Sequence, residues 1–251
     1  MERGQIQAKA FKVWKGLGHP NPLDVSLEDL AMSRGLLVLD GDLKQADGRL
    51  LRKNGRGIAR IRRDISQPRR RRFTIAHELG HWELHQDQTQ LLCSAEDIRD
   101  YGRSPLEMEA NHFAAELLMP PQPFREAIGK AEPSMKLIKN LVNEFGTTLT
   151  ATAIRFADLS SHRFIVVWSV SGKILWAYRD EKTTSLFVKS GVQLPRYCSA
   201  TLDEAELSSD MDHYDQANWF PQLSREVGEV MEVSLRMKNL RAALTLLWLP
   251  R

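Results

Sequence analysis

The stretch RRFTIAHELGHWELH, Arg71–His85, governs the reading of this chain. Its apolar residues recur at helical spacing, so a helix is expected over about Arg72–His85. His77 and His81 then stand one turn apart on the same helical face. Two imidazole nitrogens so placed can share one metal ion, and neutral imidazole suits Zn²⁺. Glu78, beside the first histidine, can face the open coordination position and take a proton from water bound there. That is the mechanical content of the His-Glu-x-x-His pattern. The bland alternative is an amphipathic helix with surface histidines and an apolar side made of Ile75, Ala76, Leu79 and Trp82.

A catalytic zinc takes three protein ligands and keeps one position open. His85 lies about 12 Å along a continuous helix from His77, too far to share the ion. It is expected to support a ligand or to pack. A second helix is expected over Ser104–Met119, with Ser104 as N-cap and Pro105 at the first helical position. Its apolar stripe is Leu106, Ala110, Phe113, Ala114, Leu117 and Leu118, and Glu107 falls inside that stripe. A carboxylate on a buried face needs a partner, which a metal held by the facing helix provides. The competing reading is a capping box between Ser104 and Glu107. Asn111, one turn further on, could hold a ligand by a hydrogen bond or could simply pack or cap.

Working outward, the N-terminal part reads as a helix over Gln5–Leu17, then a short helix through Arg34 opened by Ser26 with Asp29. Leu36–Leu39 reads as a short buried strand. Arg49–Leu51 and Gly57–Arg62, after the Asp47-Gly48 turn, read as strands of a small antiparallel sheet. Pro68 is expected to close that region, Gln86–Arg103 to be a loop, and Pro120-Pro121 to end the second helix. Helices are expected over Ser134–Phe145 and Leu149–Leu159, hinged at Gly146. Beyond Arg163 the pattern becomes β-rich. Phe164–Val170 and Lys173–Tyr178 flank the hairpin signal Ser171-Gly172, and Leu186–Val188 and Ala243–Leu249 look like further strands. The fold class is therefore α+β. Residues 1–128 are expected to form one domain, 129–160 a helical segment with a glycine-centred turn, and 161–251 a small C-terminal α/β domain.

Composition narrows the classes. The 251 residues are 42% hydrophobic and 27% charged, which is globular. No stretch suits a membrane span, the start lacks the apolar block of a signal peptide, and two cysteines make no disulfide framework. Secreted, membrane-spanning and zinc-finger readings fall away, and a cytoplasmic protein is expected. The net charge of +3 hides an asymmetry: residues 49–72 carry eleven basic residues and one acid, leaving −7 for the remainder. Such a block can bind nucleic acid or an acidic partner, or be a solvated face.

The quoted stretch, followed by EMEANHFAAELLMP over Glu107–Pro120, strongly resembles the ImmA/IrrE family of metallopeptidases. DGRLLRKNGRGIARIRRDI, just upstream, resembles the family's sheet before the active helix. The resemblance covers residues 20–160 well and the rest only loosely. It implies a zincin-like peptidase domain over 1–128, a helix-turn-helix-like segment over 129–160, and a C-terminal domain over 161–251 that is GAF-like and sensing, or docking, in role. It implies a gluzincin-like site with His77, His81 and Glu107 as ligands to one Zn²⁺ and Glu78 as general base. Another divalent ion such as Mn²⁺ is compatible with the same ligands. It also implies a protein substrate, an XRE-type helix-turn-helix repressor whose cleavage switches on stress-response or mobile-element genes. Nucleic acid is a secondary partner on this reading, and a membrane none. Set against it is a regulatory module that binds metal, nucleic acid or a protein partner through the peptidase fold without turnover.

Other features stay open at this level. Arg69–Arg72 opposes the macrodipole of the helix it opens, and would steer an acidic substrate or be a solvated face. Ile58 and Arg60 on the Gly57–Arg62 strand are expected to meet substrate if it adds to that strand. Cys93 is a redox switch or an idle thiol. Tyr101, His112, His213 and Tyr214 are candidates to stabilise an oxyanion. The Ser134–Leu159 pair has a glycine-centred turn but few basic residues, and is expected to be structural.

Overall fold

The computed structural model describes residues 1–15, 24–44, 46–88, 90–93, 104–201, 210–221 and 229–250, with Leu92, Cys93 and Lys238 described by backbone only. The chain divides into two units, Met1–Pro123 with Asn143–Thr148, and Phe124–Val142 with Leu149–Arg251.

The first unit begins with α1 (Arg3–Lys15) and α2 (Leu27–Ser33). Ser26 caps α2 as expected, its hydroxyl accepting the Asp29 N–H. Strands β1 (Leu36–Gly41), β2 (Gly48–Lys53) and β3 (Arg56–Arg62) follow. Asn54 and Gly55 both have positive φ, the geometry that turns β2 tightly into β3. The helix α3 (Pro68–Leu84) carries the quoted stretch. It starts earlier than expected because Pro68 occupies its first turn, where the missing N–H costs nothing. β4 (Gln90–Cys93) lies where a loop was expected. It is short and carries no alternating pattern that would mark it in sequence. α4 (Pro105–Leu118) is the second site helix, and Pro121 both halts it and opens α5 (Pro121–Ile128), an element the sequence reading missed.

The four-stranded sheet has the order β1-β3-β2-β4. It is mixed rather than antiparallel, because β1 runs parallel to β3 with Leu36 opposite Gly57. β1 is an edge strand, and Leu37 and Leu39 are about two-fifths exposed, so it is not the buried strand expected. β3 is central and paired along both edges, to β1 and to β2. No substrate strand can add to it, and the expectation of strand addition at Ile58 and Arg60 is corrected accordingly. The buried side of the sheet (Leu36, Leu50, Ala59, Ile61) packs under α3, which is buried along nearly its whole length from Phe73.

In the second unit, β5 (Arg163–Val170), β6 (Lys173–Arg179), β7 (Asp212–Asp215), β8 (Glu229–Met237) and β9 (Ala242–Leu249) make a sheet of order β6-β5-β9-β8-β7. All its pairings are antiparallel. Ser171 and Gly172 both have positive φ and close the expected hairpin. Leu186–Val188 is not a strand, and β7 and β8 went unpredicted. β7 is four residues long and largely polar, which leaves no periodic signal. α6 (Met135–Phe145) and α7 (Leu149–Leu159) meet at Gly146, with φ +58°, and α7 packs on β5 and β6. The short helix α8 (Gln216–Trp219) follows β7. No helix among the described residues is long and apolar enough to cross a membrane.

Candidate metal centre

The site lies between α3 and α4. Gly80 sets their spacing: a Cβ there would stand 3.1 Å from the Ala110 carbonyl oxygen and 3.2 Å from Phe113 Cβ. That close approach brings Glu107 of α4 to His77 and His81 of α3. Ala110, Phe113, Ala114, Leu117 and Leu118 are fully buried, so the expected stripe is the packed face. Glu107 lies in it at 8% exposure, and Ser104 makes no side-chain cap bond, which removes the capping-box account of this glutamate.

The ligand atoms converge. His77 Nε2 lies 2.9 Å from Glu107 Oε2 and 3.0 Å from His81 Nε2, and His81 Nε2 lies 3.3 Å from Glu107 Oε1. Zinc bonds of about 2.0–2.1 Å in a tetrahedron hold ligand atoms about 3.3 Å apart. The three groups together lie within 4.8 Å of one another and could hold a metal ion. The tautomers suit this. His77 Nδ1 donates to Asn111 Oδ1 at 2.9 Å, which leaves the Nε2 lone pair to the site. His81 Nδ1 is 2.8 Å from His85 Nδ1, and His85 Nε2 is 3.0 Å from Glu109 Oε2. His85 thus contacts a member of the group without joining it.

Electrostatics match. Burial opposes protonation of His77, but its hydrogen bond to Glu107 and the charges of Glu107 and Glu78 outweigh it and raise its pKa. Burial and the neighbouring histidines hold His81 down at about 4. Burial would raise Glu107, but its hydrogen bonds from His77 and His81 hold it well below the usual carboxylate range. Glu78 is fully buried in the same helix turn.

A family model, Peptidase M78 with the description IrrE N-terminal-like domain, matches residues 31–157. The chain belongs to this peptidase family. A solved structure similar to this chain is a Mycobacterium tuberculosis transcriptional regulator, 16% identical, with a TM-score of 0.65. The likeness covers 98% of this chain and 76% of that one, and at this identity it shows the fold alone. No curated protein matches the chain.

Within this M78-family chain, Ile58 and Arg60 point away from the group. Alternation on β3 buries Gly57, Ala59 and Ile61 toward α3 and leaves Ile58 and Arg60 exposed on the other face. Among the oxyanion candidates, His112 is half-buried on α4. His213 and Tyr214 sit on β7, His213 paired with Glu229 at 2.8 Å. Tyr101 lies outside the described residues.

The arginine run reads differently in three dimensions. Arg69 bonds Asn143, Arg70 bonds Asp47, Arg71 bonds Asp40 and Glu28, and Arg72 reaches the Val25 carbonyl. Arg52 lies 3.8 Å over the Trp82 ring and donates to the Trp82 carbonyl oxygen. These side chains tie α3 to its surroundings and are not an open electropositive approach. Sequence reading treated Asp47-Gly48 only as a turn, yet Gly48 lies against Glu78. No local sequence pattern marked that closeness.

Proposed function

We propose that this chain is a zinc-dependent endopeptidase that cleaves a helix-turn-helix, XRE-type repressor and so derepresses stress-response or mobile-element genes. The observation that carries the reading is the convergence of His77 Nε2, His81 Nε2 and the Glu107 carboxylate, with tautomers fixed by Asn111 and His85. The donor set fits zinc: two neutral imidazoles and one carboxylate, with a fourth position left for water or substrate. Bound there, the ion supplies Lewis acidity and brings the pKa of its water toward neutrality.

The chain's own residues would do the rest. Glu78 would take a proton from the water that attacks the peptide carbonyl and deliver it to the departing amine, which is general base and then general acid work. Asn111 and His85 keep the histidine lone pairs aimed at the ion. A substrate strand would add to an edge of the sheet, and β4 is the edge strand beside β2, with Cys93 opposite Gly48. Membership of a peptidase family and a fold shared with a transcriptional regulator both support a peptidase acting in gene control. The second of these equally suits a regulatory binding module without turnover. Incubation with purified XRE-type helix-turn-helix repressors, followed by intact mass spectrometry, separates the two. The peptidase yields two fragments summing to the repressor plus one water, and a binding module yields none.

A further inference from the structure

Gly48, the first residue of β2, leaves no room for a side chain. A Cβ there would stand 2.0 Å from Glu78 Oε1, 2.7 Å from its Cδ and 3.1 Å from its Cγ. The backbone of β2 therefore closes the volume into which the Glu78 carboxylate would otherwise swing. Gly48 is itself held firmly. It stands opposite Ile61 of β3 and Cys93 of β4. Its neighbour Asp47 is fully buried, ion-paired to Arg62 at 2.9 Å and bonded by Arg70 Nε at 2.9 Å. The Arg62 N–H also donates to the Asp47 carbonyl oxygen at 2.8 Å. Arg70 stands on α3 two turns before Glu78, so the helix that bears the glutamate also holds the strand that confines it. Burying a carboxylate is a poor way to gain stability, because desolvation offsets the attraction. What two guanidinium partners provide is a fixed position.

We propose that Asp47-Gly48, tied down by Arg62 and Arg70, is the positioning element for Glu78. Gly48 abuts the Glu78 carboxylate, and Asp47 anchors Gly48. The proposal rests on the reading of Glu78 as the base.

Two measurements on the full chain test it without a substrate. The first is a thermal-stability cycle of Gly48→Ala, Glu78→Ala and the double variant. Gly48→Ala should lower Tm by about 3 °C or more when Glu78 is present, and by a small fraction of that when it is absent. An equal loss in both backgrounds overturns the proposal. The second is the visible spectrum of the Co²⁺-loaded protein. Glu78→Gln should change the bands, and Gly48→Ala should change them in the same sense with Co²⁺ still bound. If Gly48→Ala does not fold, Asp47→Asn, which leaves Gly48 in place, carries both measurements. A changed spectrum for Glu78→Gln beside wild-type spectra for Gly48→Ala and Asp47→Asn overturns the positioning role alone. Full cleavage by zinc-loaded Glu78→Gln overturns the base reading on which the role rests, and leaves the stability cycle to judge the contact itself.

Discussion

The Nδ1 atoms of His81 and His85 lie 2.8 Å apart, and only one of them can carry the proton between them. If His81 is to offer its Nε2 lone pair, it donates from Nδ1. The remaining proton of His85 then sits on Nε2, where Glu109 Oε2 accepts it at 3.0 Å. A carboxylate of α4 thus fixes a histidine of α3 through a second histidine. His85→Leu should weaken zinc binding about 10- to 100-fold while the protein stays folded, as measured by competition with a chromophoric chelator. Unchanged affinity would make His85 a packing residue.

Asn111 does the same for His77. Its Oδ1 is the acceptor for the Nδ1 proton, and the side chain is fully buried. Asn111→Leu should lower zinc affinity about tenfold or more and leave a buried N–H without an acceptor. Competition titration reads the affinity and thermal melting reads the fold. A variant that melts lower but binds zinc as tightly as the parent would assign Asn111 to packing.

Zinc competes with a proton. In the metal-free site the raised His77 pKa, set by Glu107 and Glu78 against burial, stabilises the fold fully below 6.5, the unfolded value. That contribution is lost as pH rises through the folded pKa. Zinc requires the neutral imidazole, so its affinity moves the opposite way. The Tm difference between zinc-loaded and metal-free protein should widen as pH rises from about 6 to 8. A constant or shrinking gap contradicts the assignment of His77 as a ligand.

Arg69 and Arg70 are adjacent in sequence and unequal in consequence. Arg70 bonds a fully buried carboxylate, Asp47, whereas Arg69 meets Asn143 at the surface. Arg70→Ala should cost about 1–3 kcal/mol, and Arg69→Ala about 0.5 kcal/mol or less, by denaturant melts of the first transition. Equal, small losses would return the run to a solvated face.

The metal helix, its partner helix and the hairpins were legible because periodic apolar spacing and turn residues fix them locally. Glu107 was readable as a polar residue inside an apolar stripe, a conflict that only a partner resolves. What escaped was non-local. β1 joins its sheet in parallel through a pairing that no local pattern encodes. β3 reads the same whether central or at an edge, so strand addition at Ile58 and Arg60 looked plausible until both its edges proved filled. Arg70 and Arg71 looked like part of a field because the acids they meet, Asp47, Asp40 and Glu28, lie 23 to 43 residues before them in sequence. The closeness of Gly48 to Glu78 is likewise a product of tertiary packing, invisible to spacing.

The account turns on Glu78 working beside an ion held by His77, His81 and Glu107. Its most direct test compares the wild type with Glu78→Gln, each carrying one zinc, on an XRE-type helix-turn-helix repressor. The wild type should convert the repressor to two fragments, and the variant should bind zinc and repressor with unchanged affinity and cleave at least about 1000-fold more slowly. Equal cleavage by both, or an intact repressor with the zinc-loaded wild type, would contradict it.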